Sequence, residues 1–266
     1  MSFSAGWLAL REPFDIRARN REVLDAVITM FADRPGLSIV DLGSGTGSTL
    51  RALAPRLPKP QQWMLVDNDP VLLAEAFALT ASAGVAVETR QFDLRQDVSA
   101  LFDGADLVTA SALIDLVSEP WLANVAAAAA ARALPVYIAL TYDGRVVFGD
   151  GDSSDPDVIA AVNKHQRTDK GFGPALGPRA VVSAKRIFAS LGYSFLEGKS
   201  DWRANRGDAD FQLELIEGWY AAANEMESPA PDALDGWYIG RRQAAEAGML
   251  TLDVGHVDFF AQPAKR

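Results

Sequence analysis

Residues 37–47, LSIVDLGSGTG, constrain this chain more than any other stretch. A short apolar run leads to an acid, Asp41, and then to glycines at alternate positions, Gly43, Gly45 and Gly47, followed by the helix-like STLRALAPRL. A strand that feeds a helix through a glycine turn sets backbone N–H groups and a helix N-terminus beside whatever binds there. The turn therefore reads as a ligand site. A dinucleotide fingerprint, G-x-G-x-x-G, counted from Gly43 needs glycine at position 48, where the chain has Ser48. Asp41 stands just ahead of the turn, where a carboxylate repels a pyrophosphate and suits a cationic ligand.

From Leu37 onward, apolar runs and helix-like segments alternate. Strands are expected at 37–42, 62–67, 85–92, 105–111 and 135–142, with helices near 47–57, 70–82, 96–101 and 120–133. Right-handed crossovers turn this alternation into a doubly wound parallel α/β sheet whose ligand crevice lies at the carboxyl ends of the strands. Asp67 closes the run WMLV, and Asp93 follows the third strand in RQFDL, so both acids fall at the same edge as Asp41. Asp69 before Pro70 reads as a helix N-cap with proline at the first helical position.

The motif D-L-G-S-G-T-G resembles the first motif of class I S-adenosylmethionine (SAM) methyltransferases, whose fold is Rossmann-like, and Asp67 and Asp93 stand at that family's next two landmarks. The resemblance implies SAM as cofactor and places Asp41, Gly43, Ser44, Gly45, Gly47, Asp67, Asn68, Asp93 and Ser111 around it. Within that set it gives the ribose hydroxyls to Asp67, the adenine face to Asn68 and the adenine amino group to Asp93. It also implies a mostly parallel seven-stranded sheet with a reversed last strand and an N-terminal helical cover. Trp7, Arg11, Phe14 and Arg17 are candidates for that cover, although Trp7 and Phe14 read more readily as plain packing anchors. Family members that methylate amino groups of DNA bases carry N/D-P-P-Y/F after the fourth strand, where this chain has S-A-L-I, so that chemistry is not expected.

The whole of 1–266 reads as a single domain: an N-terminal cover (1–34, with Pro13 separating two helices), a cofactor-binding core (35–143), an insert or lid (144–179), and the remainder of the sheet with a helical pair (180–266). YSFLEGKSDW reads as a sixth strand and MLTLDVGHVDFFA as a seventh with a bulge at Gly255; the helices near 208–226 and 232–247 lie between them. A net charge of −10 argues against a nucleic-acid backbone as partner, since that binding needs clustered Lys and Arg. Cysteine is absent, which removes disulfides, thiolate metal sites and a cysteine nucleophile, and no metal is called for. The opening residues lack the form of a secretory signal and the alanine-rich run 125–134 is too short to span a bilayer, so a cytoplasmic protein without membrane partners is expected.

These readings converge on methyl transfer from SAM to a small molecule. The insert carries Lys164, His165, Arg167 and Lys170 in an otherwise acidic chain, and a basic field over a pocket favours an anionic substrate. The three-residue spacing of Lys164, Arg167 and Lys170 also fits a solvated helix face. By position, the candidates for a general base are Asp115 after the fourth strand, Tyr142 at the end of the fifth, and His165 on the insert. Two alternatives stand beside this reading: a SAM-binding protein that performs no chemistry, and a nicotinamide-dependent oxidoreductase, which Ser48 and Asp41 disfavour.

Overall fold

A computed structural model describes residues 3–81 and 83–264. Two helices open the chain, α1 (Ala5–Ala18) and α2 (Arg21–Phe31). Each has a side-chain cap: Ser4 Oγ accepts from the Trp7 N–H at 3.1 Å, and Asn20 Oδ1 from the Val23 N–H at 3.1 Å. Pro13 was expected to part the two helices but lies inside α1, and the break comes instead at Arg19, where ψ reaches 130°. Proline removes the single bond its N–H would give to Ala9, and burial of Arg11, Phe14 and Asp15 on the same helix holds the segment helical across the gap.

The alternation that follows is β1 (Leu37–Leu42), α3 (Ser48–Leu53), β2 (Gln61–Asp67), α4 (Pro70–Thr80), β3 (Ala86–Gln91), β4 (Leu107–Ser111), α5 (Glu119–Ala131) and β5 (Val136–Phe148). The expected helix 70–82 ended on Ser82, which lies outside the described residues; α4 itself begins as expected, with Asp69 Oδ1 accepting from the Val71 N–H at 2.9 Å. No α-helix forms at 96–101. Asp97 Oδ1 takes the Ser99 N–H at 2.8 Å, and that local turn leaves only a 3₁₀ segment, Ser99–Phe102.

Beyond β5 come α6 (Asp155–His165), α7 (Ala180–Ser190), β6 (Tyr193–Lys199), β7 (Trp202–Ala204), α8 (Ala209–Glu225), α9 (Pro231–Glu246) and β8 (Leu252–Pro263). Among the described residues the sheet therefore has eight strands, not seven, in the order β3-β2-β1-β4-β5-β8-β6, with β7 also paired to β8. The expected sixth strand splits where Ser200 gives its N–H to His256 O at 2.9 Å and Asp201 takes the His256 N–H at 3.2 Å. As expected, the last strand is reversed: β8 runs antiparallel to both β5 and β6.

The bulge expected at Gly255 is on the opposite strand. Tyr142 pairs with His256 and Val146 with Val254, so β5 carries the extra residues Asp143, Gly144 and Arg145 across from Gly255. A side chain at position 255 would collide with Asp143 Oδ1 and Arg145, which explains the glycine. Apolar side chains fill both faces of the sheet, one layer around Leu50, Trp63 and Phe260 and the other around Phe102, Phe188 and Phe259. Among the described residues, no helix is long and apolar enough to cross a membrane.

Candidate active site

The glycine turn is stitched to the ends of β1 and β2. Gly43, Gly45 and Gly47 all have left-handed backbone, with φ of 64°, 52° and 82°. The Ser44 N–H donates to Val66 O at 3.0 Å, and the Gly45 N–H donates to Asp67 Oδ2 at 2.9 Å. Asp67 Oδ1 takes the Asp69 N–H at 3.0 Å. One carboxylate thus fixes the turn and the start of α4 together. A carboxylate has about four lone-pair sites, so Asp67 keeps acceptor capacity for a ligand.

A cavity of about 270 Å³ opens at these strand ends, near the lower end of the ~300–1,000 Å³ common for small-molecule sites. Of the residues assigned to the cofactor from the sequence, Gly43, Gly45, Asp67, Asn68, Asp93 and Ser111 line it. The Ser111 hydroxyl is buried with no protein partner. Asp93 is gripped by Arg95 through contacts of 2.6–2.9 Å, which hold its carboxyl down to about 2.

Asp41, Ser44 and Gly47 are not part of the lining. Asp41 is wholly buried, its Oδ1 accepting from Thr109 Oγ1 at 2.8 Å while Oδ2 has no partner. Burial pushes its carboxyl up to about 7, against the opposing pull of Thr109 and Arg19. It braces the turn from beneath. Gly47 begins α3, where an added Cβ would press on Thr80 at 3.2 Å.

The second wall comes from distant parts of the chain. Leu8 and Arg11 reach in from α1, and Lys170, Gly171 and Phe172 from the loop after α6. Of the four cover residues expected at the N-terminus, Arg11 lines the cavity, whereas Trp7 and Phe14 stack on Phe211 of α8 at 5.6 and 3.7 Å. Arg17 lies over the Phe14 ring. Asp169 Oδ1 shapes the second loop by accepting from the Gly171 and Gly173 N–H groups at 2.7 and 2.9 Å. Phe172 meets Trp121 edge-on at 5.7 Å. Leu8 and Phe172 were missed from the sequence; a phenylalanine between two glycines behind a basic helix was the available signal.

The three candidates for a base are not equivalent. Asp115 is buried in the turn after β4, beside the lining residues Leu113 and Leu116; its Oδ1 lacks a partner, and burial raises its carboxyl to about 6. Tyr142 donates its O–H to Asn163 Oδ1 at 2.9 Å, and burial pushes the phenol well above its ordinary range. His165, at the end of α6, lies 3.0 Å from Glu225 Oε2 and meets the cavity only through Lys170, whose Nζ is 3.2 and 3.3 Å from its ring nitrogens.

Residues 39–135 match the family model described as a methyltransferase domain. No curated protein matches the sequence. Among solved structures, the chain is similar to the cyclopropane synthase MmaA2 from Mycobacterium tuberculosis, at 11% identity and TM-score 0.55, covering 98% of this chain and 94% of that one. A cyclopropane-fatty-acyl-phospholipid synthase-like protein from Lactobacillus casei gives 16% identity and TM-score 0.55 over the same shares of the two chains. The YcgJ protein of Bacillus subtilis gives 14% identity and TM-score 0.50, covering 93% of this chain and all of that one. At these identities the likeness speaks for the fold.

Proposed function

We propose that the chain, whose residues 39–135 match a methyltransferase-domain model, is a class I SAM-dependent methyltransferase that methylates a small anionic molecule. The observation that carries this reading is the two-walled cavity, with backbone and the carboxylates of Asp67 and Asp93 on the strand-end side and the cations Arg11 and Lys170 on the other.

The donor set fits the cofactor. Gly43 and Gly45 leave bare backbone beside the cavity, Ser111 has an uncommitted buried hydroxyl, and Asp67 has lone pairs to spare for ribose hydroxyls. Asn68 and Asp93, on the same wall, would hold the adenine face and its amino group, while Asp41, Ser44 and Gly47 would act by shaping the turn. Bound SAM supplies an electrophilic methyl group, so the protein has to align the nucleophile and exclude water. Alignment of that kind supplies about 7–11 kcal/mol.

Where the acceptor carries a proton, Asp115 is the base that its surroundings favour. A carboxyl raised to about 6 is mostly ionised at neutral pH yet matched to take a proton there. Tyr142, kept neutral by burial, lies within β5 outside the cavity lining and gives its O–H to Asn163. His165 acts on the site through Lys170.

The test is transfer from methyl-labelled SAM to a panel of small carboxylates, phosphates, amines and neutral alcohols. Labelling of an anionic member, lost in Asp67→Ala, is expected. Labelling of amines or alcohols alone contradicts the anionic acceptor, and SAM binding without transfer to any member favours a protein that binds SAM without chemistry.

A further inference from the structure

Among the described residues, three cationic side chains line the cavity, and two are already committed. Arg11 Nε lies 3.0 Å from the buried Asp15 Oδ2, and Arg95 is held by Asp93. Lys170 is different. Among the described residues it forms no ion pair with a carboxylate within 4.0 Å; the atoms nearest its ammonium are the ring nitrogens of His165, at 3.3 Å to Nδ1 and 3.2 Å to Nε2.

Glu225 Oε2 lies 3.0 Å from Nε2 of the same ring, and the Lys170 ammonium meets both ring nitrogens almost equally. An ammonium has three N–H donors, so contact with the ring leaves donors for the cavity.

The loop geometry agrees. Asp169 ties down the Gly171 and Gly173 N–H groups, and Gly171 and Phe172, which follow Lys170, also line the cavity. Lys164 and Arg167, which share the three-residue spacing, are exposed and belong to the solvated face of α6 and its end. Partial burial lowers the Lys170 pKa, the mark of a charge held without full compensation.

We propose that Lys170, steered by the Glu225–His165 pair, is the residue that anchors the methyl acceptor by its carboxylate or phosphate group. The proposal rests on the reading of the site as a methyltransferase cavity and names the acceptor chemistry that cavity selects. Lys170 touches the acceptor; His165 and Glu225 position Lys170.

Calorimetric titration of the S-adenosylhomocysteine-loaded protein with acetate, inorganic phosphate and acetamide tests this. Acetate or phosphate should bind, the tighter of the two identifying the anion, and acetamide should not. Lys170→Met should weaken the anion at least tenfold with S-adenosylhomocysteine affinity unchanged, and Lys170→Arg should restore most of it. His165→Phe should give a smaller loss of anion affinity, again without change for S-adenosylhomocysteine. Anion binding indifferent to Lys170→Met, equal binding of acetamide and acetate, or no anion binding to the parent protein overturns the proposal alone. Failure of the parent protein to bind S-adenosylhomocysteine overturns the cofactor reading and this proposal with it.

Discussion

On one side of the cavity, Gly43, Gly45 and Asp67 sit at the ends of two adjacent strands, β1 and β2, and the Gly45 N–H donates to the Asp67 carboxylate. On the other side, Leu8 and Arg11 of α1 meet Lys170 from far along the chain, and what holds α1 there is aromatic packing on Phe211, further along still. The strand-end wall is built from local turns and strand register. The cover wall exists only once the C-terminal helices have folded onto the N-terminal one. A cofactor site of the first kind tolerates change in the second, so cofactor and acceptor recognition should be separable by mutation.

The largest effect should come from removing the packing that holds the cover. Phe211 is almost fully buried and stacks with Trp7, Phe14 and Trp202. Phe211→Ala should destabilise the protein by about 3–5 kcal/mol, as large-to-small changes in cores do, measured by urea unfolding. An effect below about 1 kcal/mol would mean that α1 is held by something else.

Asp41 offers a pH-dependent test of the strand-end wall. Its carboxyl is raised from 3.8 to about 7, so the stability it contributes is full below the unfolded value and is lost as pH rises through the folded one. Asp41→Asn removes that loss. Relative to the parent, the variant should gain stability on the order of a few kcal/mol between about pH 4 and pH 7. A constant difference in melting temperature across that range would contradict the burial and the raised pKa.

Asp67→Ala should weaken SAM by about 1–3 kcal/mol, the range for a lost charged hydrogen bond, with acetate or phosphate binding little changed. Comparable loss of both ligands would show that the walls are not separable. The smallest effect is expected at Gly45, where φ is 52° and an added Cβ would lie 3.1 Å from Leu8 Cδ1. Gly45→Ala should cost about 1–2 kcal/mol for the left-handed backbone, seen as a lowered melting temperature with SAM still bound.

The same division explains what was legible in the sequence. The order of strands, the glycine turn and the Asp69–Pro70 cap depend on short-range patterns, and all three are where the sequence placed them. Asp41 and Asp67 look alike in the sequence, each an acid at or near a strand end. Register with Thr109 on β4 buries the first, while the second sits at the last residue of β2 and faces the cavity. That distinction needs Thr109, a strand residue 68 positions beyond Asp41. The same holds for the break between β6 and β7, set by the facing residue His256, and for the extra residues of β5, which lie opposite Gly255 rather than beside it. Lys170 and Lys164 are indistinguishable by spacing; the turn around Asp169 separates them.

The most direct measurement is a thermal-shift titration with SAM, S-adenosylhomocysteine, NAD and NADP in parallel, on the parent and on Asp67→Ala. A ligand at about a hundred times its dissociation constant adds about 2.7 kcal/mol of stability. The account predicts higher melting temperatures with the two adenosyl compounds, a smaller rise in Asp67→Ala at equal concentration, and none with the nicotinamides. A response to NAD or NADP, or to none of the four, contradicts it.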